Sequence, residues 1–465
     1  MFKRSLIGSL GVMLTVGLTA CSPVVVPAQP IPATFTAMPS PTALSEPAGS
    51  TVEPATAIPV VATATPEATV APDQPADVTA TPGTDGAGLE AIQRLTPGDR
   101  VSLRTVDMID AGAGWAISEG AFDVDDHILR TSDGGATWRD VTPPQPVRVD
   151  YSLGNAATLF ALDTQHVWAI FYDRAMSAVA PPAYVWHSSD GGATWTKSAA
   201  LEIADAAFFA PTELTFVDAQ NGWLMAHVDA GMMHDYVMVF ATTDGGATWK
   251  RLVDPTNQAL VQSCGKTGIV FTDAKNGWIT GDCQGVQPGA PYLERTVDGG
   301  ATWESVTLPA PNGAPAAFEG AATACGLQDP PFVDAATTLM TVNCQNFDTG
   351  AVAAYIYRTA DQGKSWFSRS LPAGFEQASF VSARLGWIVA GGDGGGEGPF
   401  DIWQTFDGAQ SFNRIETVDW SGELSFVTAR EGWAVRKDSQ GAGILMHTTD
   451  GGQAWTQVDA QIAAP

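Results

Sequence analysis

The sequence predicts an all-β chain, a seven-bladed β-propeller of four-stranded blades preceded by a disordered tether. Three observations predict it. An octapeptide of the form Thr-x-Asp-Gly-Gly-x-x-Trp returns seven times, with its aspartates at Asp133, Asp190, Asp244, Asp298, Asp361, Asp407 and Asp450. A second element, usually Gly-Trp, stands upstream of nearly every copy, as at Gly114-Trp115 and Gly277-Trp278. The composition of 48 Gly, 31 Pro and 15 Trp in 465 residues favours short strands and tight turns over helices.

Residues 1–20 read as an export signal. Lys3 and Arg4 are followed by an apolar stretch from Leu6 to Leu18, and the segment closes on Leu18-Thr19-Ala20-Cys21. The stretch is short for a membrane span. Its end resembles the lipobox of bacterial lipoproteins, which implies cleavage behind Ala20 and acylation of Cys21. An ordinary signal peptide containing a cysteine is the alternative. Dual acylation would anchor the chain stably to a membrane and place it in the bacterial cell envelope, extracytoplasmic.

From Cys21 to Gly88 the chain is Pro, Thr, Ala and Val, with no Lys or Arg and with Phe35 as its one aromatic. Proline recurs too often for a helix or a strand ladder to propagate. Residues 21–88 therefore read as a disordered linker, reaching on the order of 200 Å if extended at about 3.1 Å per residue.

Residues 89–465 carry the repeats. The box aspartates are spaced 57, 54, 54, 63, 46 and 43 residues apart, the range of stacked supersecondary units. Strand-forming residues flank each box, as in His127-Ile128-Leu129-Arg130 before the first, so the box is a hairpin turn. Its Asp accepts hydrogen bonds from the turn, Gly-Gly supplies positive φ, and Trp packs against the neighbouring sheet. These roles are structural. With runs such as Phe271-Thr272-Asp273 before the Gly-Trp element, each unit reads as strands A, B, C and D, with turns between A and B and the box between C and D. Radial repetition of such units protects their edges.

The box repeats resemble the Asp-box, or bacterial neuraminidase repeat, family, which includes sialidases, sortilin and xyloglucanase-type glycosidases. The longer pattern from Phe271-Thr272-Asp273 through Asn276-Gly277-Trp278 to Thr296-Val297-Asp298-Gly299-Gly300-Ala301-Thr302-Trp303 is similar to propellers related to photosystem II stability and assembly factors. The resemblance spans about residues 99–460. It implies the fold, and it admits binding, assembly and glycan-hydrolysing functions.

Cys264 and Cys283, and likewise Cys325 and Cys344, are 19 residues apart. The midpoints of both pairs fall at A–B turns, so each pair would face across adjacent antiparallel strands and close as a disulfide. A four-cysteine zinc site is the alternative, and it lacks Cys-x-x-Cys knuckles.

The B–C loops differ from unit to unit, whereas the A–B turns and boxes repeat. Variable loops on a rigid scaffold are where binding usually resides. These loops carry Glu119, Asp123, Asp125, Asp126, Asp173, Asp229, Asp235, Asp282, Asp348, Asp393, Glu397, Asp401 and Asp438 against Arg174, Arg436 and Lys437, so the sequence predicts an acidic face. Asp123, Asp125, Asp126, Asp229, Asp235, Asp393 and Glu397 are its candidate binding residues. His227, Asp229, His234 and Asp235 offer weak candidate zinc ligands, and Asp393, Glu397 and Asp401 could supply oxygens to calcium; a solvated loop is the bland account of both.

A formal net charge of −27 excludes phosphate-driven nucleic-acid binding. No motif calls for a cofactor. The sequence is best read as a non-catalytic binding or scaffold module, its partner a protein or a glycan with a basic surface favoured, held at a membrane by lipid. A role in assembling a membrane complex is what the photosystem-related resemblance implies. A glycoside hydrolase is the alternative, although the nearest string to a sialidase Phe-Arg-Ile-Pro element is Phe412-Asn413-Arg414-Ile415-Glu416, without proline.

Overall fold

The computed structural model describes residues 89–118, 124–147, 152–176, 182–231, 234–257, 259–283, 289–320, 322–327, 329–392, 398–438 and 441–464. The signal segment, Cys21 and the tether lie outside them, as do Glu119, Asp123, Asp393 and Glu397. Among the described residues there is no α-helix, and the one helical element is the 3-10 turn Pro315–Phe318.

The architecture is a succession of four-stranded antiparallel meanders, here called after their box aspartates. The Asp190 unit runs Asn155–Ala161, Val167–Asp173, Val185–Ser188 and Thr196–Lys197; the Asp244 unit runs Ala210–Phe216, Gly222–Gly231, His234–Thr242 and Lys250–Val253. The Asp407 and Asp450 units repeat the order. The Asp298 and Asp361 units merge into one nine-stranded sheet through a single bridging pair, Asp282 opposite Gly326. The Asp133 unit carries a fifth strand, Gln461–Ile462, laid parallel to Thr137–Asp140.

Every box folds as the sequence dictates. In the first, the Asp133 carboxylate accepts from Thr137 N (2.9 Å), Thr137 Oγ1 (2.7 Å) and Thr131 Oγ1 (2.9 Å), while Gly135 N donates to Thr131 Oγ1 at 2.9 Å. Gly134 and Gly135 take φ of 74° and 90°, a region open to glycine at little cost. The same bonds recur around Asp190, Asp244, Asp298, Asp361 and Asp407, and around Asp450 all but the hydroxyl bond matching that of Thr137, since Ala454 replaces the Thr or Ser. Burial works against the Asp244 carboxyl, yet the bonds from Thr248 and Thr242 hold it below its ordinary value. Asp244→Ala should therefore lower stability by about 1–2 kcal/mol in neutral solution, read as a lower Tm. Because the folded carboxyl is depressed, this difference is present above its ordinary value of 3.8 and shrinks as the pH falls through its folded value.

Packing between units departs from expectation in one respect. The box tryptophans mostly fold back on their own turns: the indoles of Trp138, Trp249, Trp303 and Trp455 donate to the carbonyls of Gly135, Gly246, Gly300 and Gly452. The Gly-Trp tryptophans make the crossing. Trp168 stacks on Phe216 at 3.7 Å and donates to Gly245 O at 2.8 Å, both in the next unit. Trp223 does the same with Phe271 and Gly299, and Trp387 with Phe426 and Gly451. The glycine before each tryptophan has a steric reason. Gly222, Gly277, Gly386 and Gly432 lie opposite Phe216, Phe271, Phe380 and Phe426, and a Cβ there would come within 2.2–2.6 Å of the phenyl ring.

Each buried cluster is shared by neighbouring units, and one joins the last unit to the first. There Val101, Leu103, Val106, Leu129 and Trp138 pack with Trp433, Val435, Leu445 and Ile462. The Trp433 indole donates to Gly134 O at 2.9 Å, and Met108 N donates to Ser425 Oγ at 3.0 Å. The first strands of neighbouring units contact one another, as Leu103–Met108 does Gly422–Phe426, so these are the inner strands. Successive packing that returns to its start is the arrangement of a β-propeller. Trp186 and Trp420, which fall outside both repeats, are buried in the same clusters, and Trp403 is half-buried against another.

Candidate functional site

The two sides of the assembly are built differently. On one, boxes are tied to the A–B turns of their own units: Gly134 N donates to Gly112 O, Gly245 N to Gln220 O, Gly299 N to Lys275 O and Gly451 N to Arg430 O. The B–C hairpins and the unit-to-unit connections therefore occupy the opposite side, called here the loop side. The disulfides Cys264–Cys283 and Cys325–Cys344 join the start of the inner strand to the end of the next strand in the Asp298 and Asp361 units, at Cα separations of 4.3 and 4.1 Å. Both lie on the loop side and restrain its hairpins.

Most of the acidic candidates that can be placed serve inside this side rather than facing solvent. Asp126 is the clearest correction. It is fully buried, pairs with Arg104 at 2.6 Å and with Arg174, and accepts from Ala157 N at 2.8 Å. Burial pushes its carboxyl up against the pull of both guanidiniums. Asp126 is thus a cross-brace between the Asp133 and Asp190 units and not a contact residue. Asp125 accepts from Asn155 N, Asp173 from Leu153 N and Ala175 N, Asp401 from Thr417 Oγ1 and Arg414, and Asp438 from Ala442 N. Such carboxylates fix loop backbones. Asp229 and Asp348 stand exposed at hairpin tips, and the Asp361 unit adds the exposed apolar pair Phe347 and Val352.

The proposed zinc ligands are arranged as a clamp. Asp235 Oδ1 is 2.6 Å from His227 Nδ1, Asp235 Oδ2 accepts from Lys266 N at 2.8 Å, and the Asp235 carbonyl accepts from Lys266 Nζ at 2.8 Å. His234 instead stacks on Tyr236, and Asp229 accepts from Ala230 N. Among the described residues no group of three His, Cys, Asp or Glu could hold a metal ion. The clamp joins the Asp244 and Asp298 units, and burial pulls the Lys266 ammonium down to about 8.

Sequence reasoning missed the inner-strand carboxyls. Asp107, Glu213 and Glu423 stand on inner strands, and Asp329 on the segment between Thr323–Gly326 and Phe332–Asp334. Glu213 is half-buried, whereas Asp107, Glu423 and Asp329 are exposed to solvent; crowding by surrounding protein atoms pushes all four carboxyls upward, Glu213 furthest. A signal was available: Glu213 and Glu423 each precede by three residues the phenylalanine that covers the Gly-Trp glycine, a position Gln377 shares.

No family model and no curated protein matches the chain. Solved structures with similar folds include YCF48 bound to a D1 peptide (15% identity, 79% of this chain and 97% of that one, TM-score 0.44) and YCF48 from Cyanidioschyzon merolae (15%, 78% and 99%, TM-score 0.42). A PL25 ulvan lyase bound to an oligosaccharide is a third (12%, 77% and 96%, TM-score 0.48). The fold assignment rests on the packing described above rather than on these likenesses.

Proposed function

We propose that this chain is a bacterial envelope lipoprotein, anchored through Cys21, whose seven-bladed propeller is a non-catalytic binding or scaffold module assisting assembly of a membrane protein complex. The contact surface is the loop side, and its partner is a protein or a glycan. The observation that carries this reading is the asymmetry between the two sides: repeated, closely bonded turns on one, and hairpins of unlike length and sequence on the other, braced by two disulfides, the Asp126 cross-brace and the Asp235 clamp. Rigid scaffolds presenting diverse loops bind partners with little ordering cost.

Two experiments test it. Mass spectrometry of the N-terminal peptide should find an acylated Cys21 as the first residue; an unmodified Cys21 or a retained signal would sink the anchoring. Affinity capture from detergent-solubilised envelope should weaken when Asp229 and Asp348 are changed to lysine, and should be unaffected by a lysine at Thr243 on the box side.

A glycan-hydrolysing enzyme is the second reading, favoured by the inner-strand carboxyls, which hold protons nearer neutral pH than ordinary ones, as a general acid must. Release of reducing sugar from envelope polysaccharide, lost on Glu423→Gln or Glu213→Gln, would favour it over the binding module.

A further inference from the structure

We propose that the junction between the Asp361 and Asp407 units is the yielding seam of the ring, where the inner strands Phe332–Asp334 and Phe375–Phe380 part locally while the other junctions stay closed. The starting observation is a missing member of the repeat. At the other junctions Trp115, Trp168, Trp223, Trp278, Trp387 or Trp433 is buried against the next unit, and all but Trp278 donate the indole N–H to a carbonyl of that unit. Leu339 stands at this place in the Asp361 unit. A leucine has no N–H to donate, and it covers less of a facing ring than an indole does. Trp168, Trp223 and Trp387 lie flat on Phe216, Phe271 and Phe426 at 3.5–3.7 Å. Phe380 instead meets Phe332, tilted by 36° at 5.6 Å.

The packing reflects the exchange. Among the described residues, the buried cluster at this junction is the smallest of those shared by neighbouring units, comprising Leu339, Ile356, Leu371, Ile388 and Ala409. Neither Phe332–Asp334 nor Phe375–Phe380 contains a buried residue, whereas every other inner strand does. Two donors at the junction, Arg358 Nε beside Gly408 and Trp403 Nε1, are shut away from water with no acceptor among the described residues. Unmet donors of this kind work against the closed state.

What holds the junction lies at its borders. The hydrogen bonds that cross it among the described residues are at the box side, where Ala383 N donates to Asp334 Oδ2 at 2.7 Å and Arg369 Nη1 donates to Gln410 O. On the loop side, residues 372–374 link the outer strand Phe367–Ser370 to Phe375–Phe380 by a short path. Elsewhere inner strands are bonded to each other directly, as Thr158 Oγ1 is to Pro211 O, Leu424 N to Gln377 Oε1 and Met108 N to Ser425 Oγ. Separation is therefore a local widening between two inner strands and leaves the ring unbroken. On its other flank the Asp361 unit is fused to the Asp298 unit through the pair Asp282 and Gly326, so these two move as one body. The exposed Phe347 and Val352 ride on that body, and the seam lets them shift against the Asp407 unit.

Hydrogen exchange on the full chain tests the seam. The opening equilibrium of the hydrogen-bonded amides in Phe375–Phe380, corrected for intrinsic exchange, should exceed that in Ala210–Phe216 and in Gly422–Phe426 by roughly tenfold or more. Trp387→Leu imposes the same deficit on the next junction. It should raise opening in Gly422–Phe426 by a similar factor and leave Ala210–Phe216 unchanged. Protection in Phe375–Phe380 equal to that of its two counterparts, or a folded Trp387→Leu variant whose Gly422–Phe426 amides open no more readily than before, overturns the proposal. The first comparison needs no substitution, so it decides even if the variant does not fold.

Discussion

Replacing Trp433 with alanine should destabilise the fold by about 3–5 kcal/mol, the range for truncating a large buried aromatic. Trp433 is fully buried among residues of both the first and the last units, and its indole N–H reaches Gly134 O across the junction. His447 stacks on its ring at 4.6 Å. The substitution leaves a cavity at the closing junction and deprives a carbonyl of its donor. Trp433→Phe separates the contributions, because it retains most of the ring volume and loses the hydrogen bond, which typically contributes about 1 kcal/mol. Urea unfolding with a shared slope for the two variants would read both. Equal, small effects would mean that the junction is not closed by this contact.

Asp126→Ala should cost roughly 2–4 kcal/mol, toward the low end of what removing one partner of a buried pair costs, since Arg104 and Arg174 keep partial access to water. The variant strands two guanidiniums and the Ala157 N–H between the Asp133 and Asp190 units. The loss should appear as a lower Tm, and partner capture measured well below that Tm should be unchanged. Asp229→Lys should behave in the opposite way, weakening capture with Tm nearly constant. This contrast distinguishes a brace from a contact residue on the same side of the molecule.

The fold was legible because each part of the repeat has a local cause. Asp133 and its six counterparts need only their own turns to form their bonds, so the boxes and the hairpins they close could be read without tertiary information. The disulfides were legible for a related reason: equal 19-residue separations centred on A–B turns place Cys264 opposite Cys283 and Cys325 opposite Cys344. What was not legible depends on contacts between units. Nothing near Asp126 in the chain announces Arg104 and Arg174, which arrive from 22 and 48 residues away, so a buried anion was counted as a surface charge. His227 and Asp235 looked like ligands because their spacing suits a metal, whereas Lys266, from the next unit, makes them a clamp. Leu103–Met108 and Gly422–Phe426 are far apart in sequence and adjoin because the last unit packs on the first.

The central claim is that the loop side, not the box side, meets the partner. The most direct measurement is site-specific photo-crosslinking in intact cells, with a photoreactive amino acid at Asp229, Phe347 or Asp348 on the loop side, or at Ser189 or Thr243 on the box side. The account predicts a discrete adduct from the loop-side positions and none from Ser189 or Thr243. Adducts from the box-side positions, with the loop-side positions silent, would contradict it.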